Sequence, residues 1–162
     1  MDLDLALRGG HRAGAGRGKS GVTDLLAIEA MRARVEGTGD VAGTLATGWD
    51  AFELLRAVAA GCADGAGGLF AAFTMASVSA AGRDAVGVAP SLAPGRAAGI
   101  APRDEFLADA EDVADAIGVL AATLRTRLSF AAAAAADAGD RAACARAAGD
   151  ADRIRALLSR DG

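Results

Sequence analysis

The 162-residue chain has no Tyr, one Trp, one His and one Lys among its 17 basic residues, with two Cys, three Pro and an aromatic share of 4%. Each scarcity excludes chemistry. The single histidine, His11, cannot build a ferritin-like diiron site, which takes paired Glu-x-x-His segments. A structural zinc site needs more Cys and His than the chain holds. A Ser–His or Cys–His nucleophile pair would have to recruit a residue close to the start of the chain. Cys62 and Cys144 lie far apart in sequence and read as reduced core thiols of a cytoplasmic protein. The opening residues carry Asp2 and Asp4 rather than a basic segment, so no signal-peptide pattern is expected.

With so few rings, the core must be made of Ala, Leu and Val, which supply most of a 52% hydrophobic content. Alanine has the best intrinsic helix propensity, and small side chains let helix axes approach closely. This composition predicts an all-α, single-domain bundle of about five helices. Most of the 22 glycines cluster at 9–21, 37–48, 61–68 and 82–99 and read as punctuation between helices. A formal net charge of −4 argues against a protein that coats nucleic acid, since that requires a basic face for phosphates. No recognisable helix-turn-helix precedes the bundle either. The longest uncharged run, 65–82, is long enough for a membrane span but consists mostly of Gly, Ala, Ser and Thr, so a buried helix is expected and no membrane partner.

Along the chain, residues 1–21 read as a flexible Gly/Arg-rich N-terminal arm and 22–162 as the bundle domain. Apolar spacing predicts a first helix over 22–36 and a second that begins after Asp40. In the second, Val41, Leu45, Trp49, Phe52, Leu55, Ala59 and Cys62 form one stripe. A third is expected over 69–81, with Phe70, Phe73, Met75 and Val78 on one side and Ala72, Ala76 and Ala80 in a register that permits a tight crossing. Residues 82–102 contain Pro90, Pro94 and Pro102, and are expected to form a long Pro/Gly-rich loop packed across the bundle through Val86, Val88, Leu92 and Ile100. A fourth helix over 103–136 keeps one face through Phe106, Val113, Ile117, Leu120, Leu124 and Leu128. Asp140 is expected to cap a fifth, which returns as a C-terminal antiparallel helical hairpin.

Three groups of residues are candidates for function. "RAGAGRGKS", residues 12–20, fits a loose nucleotide-loop pattern if Ala13 takes its first position. A phosphate loop joins a buried strand to a helix, and no apolar strand precedes this stretch. Arg12, Arg17 and Lys19 therefore read as an arm for an anion or a partner. The acidic start of the fourth helix, including Asp109 and Asp112, places carboxylates at helical spacing. Its "EDVAD" (111–115) resembles the aspartate-rich helix of isoprenoid synthases or the acidic helices of all-α nucleotide pyrophosphatases over those five residues. Carboxylates so spaced can hold Mg²⁺ through oxygen ligands, and in that alternative Asp109 and Asp112 act together with Asp50 and Glu53 of the second helix. Trp49, Phe52, Phe70 and Phe73 are the expected anchors of the core or of a partner groove.

The expected function is a non-enzymatic helical bundle that acts through protein–protein interaction or regulation and self-associates as a homodimer or other homo-oligomer, with no cofactor. Acids at the start of the fourth helix and arginines on the last two, from Arg125 to Arg160, suit self-association. The alternative is a small-molecule-binding or Mg²⁺-dependent all-α enzyme with an apolar pocket between the second, third and fourth helices.

Overall fold

The computed structural model of the chain describes residues 17–62, 69–94 and 110–159. Five helices account for nearly all of them: α1 (Arg17–Glu36), α2 (Val41–Cys62), α3 (Leu69–Gly87), α4 (Ala110–Ala134) and α5 (Ala138–Leu158). Among the described residues there is no strand. The fold is therefore the all-α bundle that the composition predicts. Residues 103–109, Ile100 and Phe106 fall outside the described residues, as do residues 1–16. Helix α1 begins inside the stretch read as an arm, because Gly18 and Gly21 lower helix propensity by about 1 kcal/mol each without forbidding a helix.

Local chemistry fixes the helix ends. Gly37 N–H donates to Ala33 O at 3.0 Å and Thr38 Oγ1 to Val35 O at 2.8 Å, closing α1. Asp40 then caps α2, its Oδ1 accepting from Gly43 N–H at 2.6 Å. The cap of α5 is Asp137 rather than Asp140. Asp137 is extended at φ −76° and ψ 135°, and its Oδ1 accepts from Gly139 N–H and Asp140 N–H. Asp140 sits one turn further on and is buried. Its carboxylate accepts from Ser91 N–H at 2.9 Å and Ser91 Oγ–H at 2.5 Å, which ties the segment after α3 to the start of α5.

Packing places α2 at the centre. It contacts α1, α3 and α4, so it buries nearly its whole circumference: Leu45, Ala51, Phe52, Leu54, Leu55, Val58 and Ala59 are all in the core. The predicted seam of α4 is also buried, through Val113, Ile117, Leu120, Leu124 and Leu128. That seam packs on α5 and α1, and Arg125 Nε lies 3.5 Å from Asp152 Oδ1 across the α4/α5 hairpin. Residues 111–134 of α4 are the one described stretch long and apolar enough by composition to cross a membrane; Val113, Ile117, Leu120, Leu124 and Leu128 of it are buried in this core, whereas Val119 and Phe130 are exposed.

Helix α3 is longer than its sequence suggests. The helix does not stop at Gly82 but continues to Gly87, with Ala72, Met75, Ser79, Gly82 and Val86 turned inward. The two glycines are contact surfaces rather than breaks. A Cβ on Gly82 would lie 2.3 Å from Phe52 Cε1, and one on Gly87 would lie 2.7 Å from Trp49 Cζ3. Small residues face α2 because the axes come close, and that same choice turns Phe73 outward, where it is 74% exposed. Of the expected loop contacts, Val86 is fully buried inside the helix, Leu92 packs on the core and Val88 is 65% exposed.

Two alanine substitutions separate these roles. Gly82→Ala is expected to cost about 2 kcal/mol, because overpacking against a fully buried Phe52 ring exceeds the gain in helix propensity. Gly149→Ala in α5, where a Cβ meets nothing within 4 Å, is expected to stabilise by about 0.5–1 kcal/mol. Urea unfolding of both variants measures the difference, and equal signs would contradict the assignment of Gly82 as a contact.

Candidate functional site

Two polar features stand out on α2, α3 and α5, and Arg83 touches both. The first is interior. Glu53 on α2 has a side chain only 1% exposed, and its carboxylate is shared by Arg83 of α3 at 2.7 Å and Arg56 of α2 at 3.2 Å. Burial pushes this carboxyl up, but hydrogen bonds and charge from Arg56 and Arg83 outweigh burial and hold it below the ordinary value of 4.5. The Arg83 guanidinium also lies 5.6 Å from the centre of the Trp49 ring, within cation–π range. Trp49 Nε1 and Arg56 Nε are buried without a hydrogen-bond partner.

The second feature is a surface groove of about 620 Å³ between α3 and α5. It is lined by small residues, Ala81 and Ala85 from α3 and Ala145 and Gly149 from α5, and by both signs of charge, Asp84 and Asp150 with Arg146 and Arg153. Arg83 links groove and interior, since its Nη2 donates to Asp84 Oδ1 at 2.7 Å while its Nη1 holds Glu53. Burial raises the Asp150 carboxyl above its ordinary 3.8, against an opposing contribution from Arg153 at 3.0 Å. Val88 stands at one end of the groove, and Phe73 lies on the same outward line of α3, which runs through Ser77, Ala81 and Asp84.

The residues singled out from the sequence separate in space. Phe52 is fully buried, Trp49 is partly buried at the edge of the core, and Phe73 is on the outer surface, so these three do not line one groove. Phe70 is in the first turn of α3, where side chains are outside the description. Asp50 pairs with Arg34 of α1 at 2.9 Å, while Glu53 is engaged by its two arginines. Asp112 is exposed near the start of α4, and Asp109 lies outside the described residues. Among the described residues no cluster of three or more His, Cys, Asp or Glu is placed to hold a metal ion. Arg17 and Lys19 fall in the first turn of α1, where side chains are not described, and Arg12 lies outside.

Cys144 is fully buried. Burial, with the nearby Asp140 charge, pushes its thiol up to about 11, so it stays protonated at neutral pH and is a poor nucleophile. Cys62 is at the last residue of α2, outside the described side chains. Arg83 was missed by sequence reasoning because it stands one residue after Gly82, inside the stretch read as a loop. The available signal was spacing: Phe73, Ser77, Ala81, Asp84 and Val88 keep a helical period straight through that glycine. Comparison with known proteins finds no matching family, no matching curated protein and no matching solved structure.

The buried carboxylates predict opposite pH slopes. Glu53 is held below 4.5 in the fold, so its stabilisation is present above that pH and is lost as pH falls through the depressed value. Asp150 is raised, so the fold binds its proton more tightly than the unfolded chain, and its contribution weakens as pH rises from 3.8 through the raised value. Glu53→Gln is expected to cost about 2 kcal/mol at pH 7 and to flatten the acid loss of stability. Asp150→Asn is expected to be more favourable at pH 7 than at pH 3. Chemical denaturation between pH 3 and 7 checks both, and an unchanged acid limb in Glu53→Gln would refute the ion-pair assignment.

Proposed function

We propose that this chain is a non-enzymatic, self-associating helical bundle of the cytoplasm that acts through protein–protein contact, with the outward face of α3 and α5 as its binding surface. The observation that carries this reading is the exposure of Phe73 and Val88 on one line of α3, beside a groove that is lined by Ala and Gly and open among the described residues. Large apolar side chains in that setting gain free energy only when another surface covers them. Small lining residues admit close approach of a helix. The buried charge supports the same reading, because Glu53 is already neutralised by two arginines and Cys144 is a protonated core thiol.

The test compares association with metal-dependent binding. Sedimentation velocity of the full chain is expected to show a mass that rises with concentration, and Phe73→Asp is expected to lower the affinity at least ten-fold without lowering the thermal midpoint, since Phe73 is 74% exposed. A monomer at all concentrations would sink the reading. So would a thermal stabilisation by Mg²⁺ and diphosphate compounds that Asp112→Ala abolishes, which would instead support an all-α Mg²⁺-dependent enzyme.

A further inference from the structure

We propose that the α3/α5 groove seats a second copy of this chain about a two-fold axis, so that the outward face of each α3 lies in the other copy's groove and Asp84 of each copy meets Arg146 of the other. The inference rests on the reading of this face as a self-association surface and names how the two copies meet.

Charge carries the choice of occupant. The groove is lined by two acids, Asp84 and Asp150, and two bases, Arg146 and Arg153. A partner of a single sign, such as a polyanion or a basic peptide, meets repulsion from half of these groups. A two-fold axis that sets Asp84 against Arg146 also sets Arg146 against Asp84, because an isologous contact pairs each residue i with j and j with i, so the mixed charge of this face is matched twice. Local pairing leaves the needed groups available. Arg153 is engaged by Asp150 within α5, whereas Arg146 takes part in none of the ion pairs found among the described residues. Asp84, with a side chain 67% exposed, is held by its neighbour Arg83 through Oδ1 alone, which leaves Oδ2 to face a partner.

Shape agrees with charge. The lining has open space at Gly149, where a Cβ would meet nothing within 4 Å. The outward line of α3 is itself narrow at its middle, with Ser77 and Ala81 between Phe73 and Val88. A helix of this profile suits a slot lined by Ala81, Ala85, Ala145 and Gly149, with its small middle against these small residues and its two large ends beyond them.

The experiment is sedimentation equilibrium of the full chain with thermal midpoints measured in parallel. Gly149→Trp puts a ring into the slot from a position where a Cβ meets nothing within 4 Å, and is expected to weaken association at least ten-fold while the midpoint is retained. Arg146→Glu is expected to weaken it comparably, and adding Asp84→Arg in the same chain is expected to restore most of the loss, because the swapped pair is again complementary across the axis. If the wild-type chain associates and Phe73→Asp breaks it, yet Gly149→Trp and Arg146→Glu leave it intact, the two-fold seating is wrong and the broader reading stands. If Arg146→Glu weakens association and Asp84→Arg fails to rescue it with the midpoint preserved, the proposed pairing is wrong. A wild-type chain that never associates overturns both.

Discussion

The close approach of α2 and α3 is the constraint on which the rest of the structure depends. The Phe52 ring occupies the space where a Gly82 side chain would be, and the Trp49 ring does the same at Gly87. Between these contacts Arg83 reaches the buried Glu53 at 2.7 Å. Together they set the rotation of α3 about its own axis. Once Ala72, Met75, Ser79, Gly82 and Val86 face inward, Phe73, Asp84 and Val88 must face out, because a helix offers opposite sides at fixed spacing. The outward face proposed as the binding surface is thus the geometric complement of the α2 contact.

Electrostatics reinforces that arrangement. A carboxylate that is nearly inaccessible is costly unless paired, and removal of one partner leaves the penalty without the compensation. Glu53 is satisfied only when α3 continues as a helix far enough to deliver Arg83. The Asp140–Ser91 contact then fastens the chain just beyond α3 to the first turn of α5, beside Pro90 against Gly139. Both ends of the groove are positioned by these buried acids.

Several features were legible in the residues. Ala-rich composition with few rings gave an all-α expectation, and the seam from Val113 to Leu128 identified the face of α4 that is buried. Asp40 was recognisable as the cap of α2. The errors share one cause. By local preference alone Gly82 reads as a helix end, although α3 runs through it to Gly87, and Phe73, expected as an anchor of the core or of a partner groove, lies on the outer surface. Glycine also serves where two helices nearly touch, and the large neighbour is then displaced to the opposite side. Likewise Asp140 looked like a cap, yet Asp137 takes that role and Asp140 serves a contact 49 residues away.

The sequence by itself determined the class of fold, the helical spacing and the identity of most buried apolar positions, since these follow from propensity and period within single segments. The pairing of Glu53 with Arg83, the use of Gly82 and Gly87 as contact surfaces, and the groove between α3 and α5 were decided only by tertiary structure. Each joins residues from different helices, and no local preference specifies how far apart or at what rotation two helices will pack. That distance was set by which side chains could be left small, and it is this that placed Phe73, Asp84 and Arg146 on the outside.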